Sequence, residues 1–154
     1  MKRTIRVLIW IALALLAAFI AFAVYVRTAG DDAKVWHVDP VSVTEHGAEN
    51  DFIVTPTGEG ADMASPVFDM TPEKLLERFR TVAMAAPRTT ILGERDGFAT
   101  FIQRTKLMAY PDYISVRAVA VEGGSALHVY SRSRYGKRDF KVNEKRVLSW
   151  LDRL

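Results

Sequence analysis

The sequence predicts an α+β protein in which an N-terminal transmembrane helix precedes a four-stranded or slightly larger antiparallel sheet covered on one face by two helices. Three observations predict it. Residues Val7 to Val26 are twenty in a row without a charge. Two stretches, after Thr71 and after Asn143, repeat apolar residues at helical spacing. Between them lie four segments rich in β-branched and aromatic residues.

At 1.5 Å per residue the uncharged run spans roughly 30 Å, the thickness of a bilayer's hydrocarbon core. Lys2, Arg3 and Arg6 precede it, and Arg27, Asp31, Asp32 and Lys34 follow. Positive charge ahead of the span keeps the N-terminus cytoplasmic and sends the remainder across a bacterial inner membrane into the periplasm. Trp10 and Tyr25 stand near the two interfaces. The competing reading is a cleaved signal peptide cut at Ala21-Phe22-Ala23, against which the run is longer than the roughly 7–15 residues of an ordinary signal core. On the anchor reading, residues 1–6 are cytoplasmic, 7–26 span the membrane and 27–34 form a polar tether. Residues 35–70 then wrap the domain as extended chain, and 71–154 form the α+β domain.

The wrapping segment is interrupted by Pro40, Pro56 and Pro66 and by Gly47, Gly58 and Gly60, and its short apolar runs admit at most edge strands. At Thr71 the signals sharpen. Thr71 suits an N-cap, Pro72 the first helical position and Glu73 the positive end of the helix dipole. Leu75, Leu76, Phe79, Val82 and Ala83 then form one apolar stripe that ends before Pro87. Four strands follow, at Thr89 to Glu94, Phe98 to Lys106, Tyr113 to Val121 and Ala126 to Arg134, with turns at Asp96-Gly97 and Glu122-Gly123-Gly124-Ser125. In the last of them Leu127, Val129 and Ser131 point one way and His128, Tyr130, Arg132 and Arg134 the other, which implies a half-solvated sheet. A closing helix starts at Asn143 as cap and buries Val147, Trp150, Leu151 and Leu154.

Cysteine is absent, which excludes disulfides, thiolate nucleophiles, Cys-based zinc sites and a lipoprotein anchor. From Val35 onward the chain carries 16 basic and 16 acidic residues, so the folded part is formally neutral. The charges are unevenly placed: residues 35–87 hold three Lys/Arg and nine Asp/Glu, residues 88–154 thirteen and seven. Halves of net −6 and +6 are expected to pair with one another across the fold, and no aromatic stacking motif marks a nucleic-acid surface.

From Ser131 to Leu154 the chain reads SRSRYGKRDFKVNEKRVLSWLDRL, and upstream stand Ala86-Pro87-Arg88-Thr89, Gln103-Arg104-Thr105 and Tyr110-Pro111-Asp112-Tyr113. In these strings, over roughly Thr71 to Leu154, the chain resembles the domain-of-unknown-function family numbered 1499. Two positions depart from the family's pattern: Lys141 stands where Gly is usual, and Thr105 where Ser is usual. The resemblance implies bacterial or plastid-type relatives that often carry membrane segments, and it implies no activity.

The candidate chemistry is a set of cations, Arg88, Arg104, Arg117, Arg132, Arg134, Lys137 and Arg146, accompanied by Asp112, Ser131, Ser133, Asp139 and Asn143. Guanidinium forks grip phosphate or carboxylate in pairs of hydrogen bonds, so the set could hold an anionic ligand; the more ordinary expectation is that Arg132 or Arg134 pairs with Asp112 or Asp139 and fixes the loop before the last helix. Tyr135-Gly136 lacks the glycine spacing of a phosphate loop, and Gly136 more simply takes a backbone angle other residues resist. His37, His46 and His128 share no metal-ligand spacing, and Ser131 and Ser133 no nucleophile elbow. Trp36 and Trp150 read as core.

These observations imply a single-pass, non-enzymatic envelope module that binds an anionic ligand, a lipid headgroup or an envelope protein, with the membrane as partner and with no nucleic acid, cofactor or metal. Two alternatives remain open. One is a helix-grip-like module carrying a hydrophobic ligand in a pocket lined by Phe79, Ile102, Val116 and Trp150. The other is an enzyme using Asp112 or Asp139 as base beside the arginines.

Overall fold

The structure is a computed structural model that describes residues 2–95, 97–138 and 140–154. An apolar helix α1 (Lys2–Thr28) leads into a short helix α2 (Ala33–Trp36) and a 3-10 turn at Pro40–Ser42. Strands β1 (Asp51–Thr55) and β2 (Met63–Ala64) come next, then helix α3 (Pro72–Ala85). Strands β3 (Thr89–Arg95), β4 (Phe98–Arg104), β5 (Pro111–Val121) and β6 (Gly124–Ser133) follow, and α4 (Val142–Leu151) closes the chain.

The sheet has six strands in the order β2-β1-β6-β5-β4-β3, antiparallel except for the β1–β2 pair. The α+β class and the antiparallel meander agree with the sequence reading, and the sheet is two strands larger. Both additions come from the segment read as wrapping. β1 is not an edge: Phe52 pairs with Ser131 and Val54 with Val129 on β6, while two residues of β2 cover its outer side. Phe52, Ile53 and Val54 are all buried, as a strand covered on both faces requires.

On one face Phe52, Val54, Phe101, Ile114, Val116, Leu127 and Val129 meet Leu75, Phe79 and Ala83 of α3 and Val147, Trp150 and Leu151 of α4. Burying side chains of this size contributes about 1.5–3 kcal/mol each. The Phe79, Phe101 and Trp150 rings lie 5.7–6.5 Å apart, two of the three contacts edge-on. This close packing corrects the hydrophobic-carrier expectation. Phe79 and Val116 are fully buried in the core beside Trp150, and Ile102 faces the opposite side of the sheet, so the four do not surround a cavity.

The second face is covered more than the half-solvated reading expected: Thr100, Tyr113, Ser115 and Arg132 are buried, and Arg117, His128 and Tyr130 are half-buried. It is covered by a strap, residues 26–43, running from the end of α1 through α2 and the 3-10 turn. Trp36 stacks on Tyr113 at 4.2 Å, and His37 on Phe98 at 4.2 Å. Thr100 and Ser115, buried here, share a hydrogen bond at 2.9 Å, and His37 Nδ1 reaches the Thr100 hydroxyl at 2.8 Å. A face lined by hydroxyls, tyrosines and arginines cannot be sealed by aliphatic side chains. The strap supplies the polar partners instead.

Candidate functional site

The sheet register divides the predicted site set into two groups on opposite faces. Asp112, Ser131 and Ser133 point toward α4, whereas Arg104, Arg132 and Arg134 point toward the strap.

Beneath α4, Arg146 and Asp112 are 8 % and 4 % exposed, a pair that only saturated hydrogen bonding can hold in the interior. Arg146 donates from Nη2 to Asp112 Oδ2, from Nε to Gln103 Oε1 and from Nη1 to Asn143 Oδ1, each at 2.5 Å. Ser131 donates to the same Asn143 oxygen at 2.6 Å. Asn143 Nδ2 in turn donates to the Asn50 carbonyl at 2.7 Å and to Ser133 Oγ at 3.1 Å. Asn143 is therefore a buried hub and not the expected cap. The residue before the helix is Lys141, in the left-handed region at φ 63°. Asn50 extends the network to the Gly136 carbonyl at 2.8 Å, and Gly136 itself sits at φ 88°, the backbone angle expected for it.

On the other face the arginines hold the strap. Asp31 accepts from Arg104 Nη2 at 2.5 Å and from the Tyr113 hydroxyl at 2.6 Å, and Arg134 donates to the Gly30 carbonyl at 2.9 Å. Burial and the Asp31 bond push the Tyr113 phenol well up, so it stays a donor. Arg132 donates to the Trp36 carbonyl at 2.6 Å with its guanidinium 4.4 Å from the Tyr130 ring centre. Burial pushes its pKa down to about 10, which leaves it cationic at neutral pH. Arg117 forks onto Asp39 at 3.0 and 2.6 Å. Arg88 donates to the Arg104 carbonyl at 2.9 Å, and Lys137 is exposed. Asp139 lies outside the described residues.

The set is thus not one cluster. Asp112 pairs with Arg146 on the α4 face, not with Arg132 or Arg134 as expected, because side chains alternate along the strands and the sheet separates it from Arg104, Arg132 and Arg134. His46 stands apart, its Nδ1 at 2.5 Å from the buried Asp51 carboxylate, a bond that raises its pKa.

What the sequence reading missed is a cleft of about 470 Å³ where α1 meets the domain. Its apolar walls are Phe22 from α1, Tyr110 from the β4–β5 loop, Tyr135 and Phe140 from the β6–α4 loop, and Val142. Asp112, Ser133 and Thr105 supply hydrogen-bonding groups to the lining, and Arg138 brings a cation. The Phe22 and Tyr110 rings are 6.3 Å apart, and those of Tyr110 and Tyr135 5.6 Å. Arg27 donates to the Leu107 carbonyl at 2.5 Å, which fastens the β4–β5 loop to the last turn of α1, and Arg104 of β4 donates to the Ala109 carbonyl at 3.0 Å, which closes the loop. The one visible signal was a tyrosine and adjoining cations in each of the two loops: Lys106 with Tyr110, and Tyr135 with Lys137 and Arg138. A second groove of about 550 Å³, by Val41, Pro56, Glu59 and His128, has no Lys or Arg among its described lining. Burial lowers the pKa of His128, so that groove offers an anion no cation at neutral pH.

Residues 37–154 match the profile of a protein family described as "Protein of unknown function (DUF1499)". The match reaches further upstream than Thr71, taking in His37, Asp39 and both added strands. Searches of curated proteins and of solved structures each returned no match.

Proposed function

The chain belongs to the DUF1499 family, and from that premise we propose that it is a single-pass membrane protein whose cleft at the end of α1 binds the headgroup of an anionic lipid. Support for the anchor is the helix itself. Arg3–Thr28 is long and apolar enough to cross a membrane, with mean hydropathy 2.9, and its most apolar stretch buries nothing against the domain. The positive charge at Lys2, Arg3 and Arg6 orients the N-terminus to the cytoplasm and the domain to the periplasmic side of a bacterial inner membrane.

The observation that carries the ligand reading is Phe22. It belongs to the apolar span yet forms a wall of the cleft, roughly 9 Å below the end of α1 at 1.5 Å per residue, so the cleft opens at the level of the bilayer surface. A lipid enters such a site from the side, laying apolar atoms on Phe22, Tyr110 and Phe140 and its phosphate near Arg138. Asp112 and Ser133 can accept and donate hydrogen bonds to headgroup hydroxyls. Anionic headgroups are favoured because the two loops draw on the basic half of the chain, with Lys106, Lys137 and Arg138 all exposed. The carboxylate-base alternative gains less support, since Asp112 is held by Arg146 on the face opposite the strap arginines.

The test is native mass spectrometry of the full chain released from micelles containing phosphatidylglycerol or phosphatidylcholine. Retention of one phosphatidylglycerol at least about tenfold above phosphatidylcholine, a difference of about 1.4 kcal/mol, is expected. The Lys137→Ala plus Arg138→Ala variant is expected to lose that preference while keeping its fold. Among the described residues Arg138 pairs with Glu49 at 4.0 Å, and both of those side chains are exposed. Equal retention of the two lipids, unchanged in the variant, would overturn the reading.

A further inference from the structure

We infer that the domain docks directly on the bilayer spanned by its own helix, with the two loop tips Leu107 and Phe140 seated in the lipid interface. This rests on the anchor reading above but not on headgroup recognition. Both side chains stand out from the domain, 76 % and 86 % exposed, more than any other large apolar side chain among the described residues. Each is carried by a loop with a left-handed residue, Ala109 at φ 57° and Phe140 itself at φ 53°. For a bulky aromatic this conformation is unfavourable, and here it leaves the ring outside the domain.

The occupant follows from where the loops are fixed. Arg27, in the last turn of α1, donates to the Leu107 carbonyl, and Phe140 borders the same cleft as Phe22 of the apolar span. If α1 crosses the bilayer, both tips stand within about two helical turns of its exit, the depth at which headgroups give way to acyl chains. Beside them are Lys106 and Arg138, and a cation next to an apolar tip suits an anionic, half-apolar interface. The strap allows little slack, because Asp31, Trp36 and Asp39 are all bonded to the sheet.

The chain has no cysteine, so single substitutions can carry a label without background. Leu107→Cys, Phe140→Cys and Val67→Cys are each labelled with an environment-sensitive fluorophore in the full chain, reconstituted into vesicles. Val67 is exposed and lies by Gly123 at the far end of β5, roughly 30 Å from the tips. Blue-shifted emission at 107 and 140, quenched several times more strongly by lipids spin-labelled near the headgroup than emission at 67, is expected. Three water-like, equally unquenched labels on a chain that resists carbonate extraction would overturn the docking and leave the anchor standing. Release of the chain by carbonate would overturn the anchor and the docking together.

Discussion

Lys141 shows how one backbone angle can be invisible in composition and still decide stability. It stands where the resembled family usually has glycine, and the structure places it at φ 63° immediately before α4. A side chain in that region costs roughly 1–2 kcal/mol, part of which glycine returns as greater freedom in the unfolded chain. Lys141→Gly is therefore expected to stabilise the protein by about 0.5–1 kcal/mol, read as a higher urea midpoint with an unchanged slope. Its ion pair with Glu144, at 3.1 Å, is exposed, and such a pair offsets little of this; any further contact of the lysine lowers the gain. A lower midpoint would show that the lysine's contacts outweigh its conformation. Asn143 illustrates the opposite case. Its residue type suggested a cap, because asparagine commonly serves as one, and nothing local in the sequence indicated that its amide would be needed 93 residues away by Asn50.

At the scale of elements, the pieces legible in the sequence were those whose signal is local. The stripe after Thr71-Pro72, the glycine turn between β5 and β6 and the alternation along β6 each depend on neighbours within a few residues, and each formed. β1 and the strap depend on distant partners. Trp36 is bonded to a residue 96 positions on, Asp39 to one 78 on, and neither spacing leaves a periodic trace. The buried pair under α4 belongs to this scale because its network ties a helix, three strands and a loop together. Arg146→Met leaves the Asp112 carboxylate buried without its partner and is expected to cost about 3–5 kcal/mol. Adding Asp112→Asn should recover part of that loss, since the second change removes the stranded charge. Additive losses in a double-mutant cycle would contradict the coupling.

For the whole molecule, charge arrangement was legible and its purpose was not. The acidic and basic halves do meet, at Asp39 with Arg117 and at Glu49 with Arg138, yet the strongest partner of Arg104 is Asp31, in the segment read as a free tether. The strap holds α1 and the domain together as one body. On the membrane reading proposed above, this sets the cleft and its two apolar tips at a fixed height, which a flexible linker of the same composition would not do. Hydrogen exchange at the strap measures this directly, in the full chain reconstituted into vesicles. A four-residue helix has no stability alone, so slow exchange at Val35, Trp36 and His37, whose amides bond to the Asp32 and Ala33 carbonyls, reports docking onto the sheet. Protection at least about a hundredfold above an unstructured peptide is expected there. Exchange at the free-peptide rate, with β5 and β6 still protected, would contradict a strap that fixes the domain to α1.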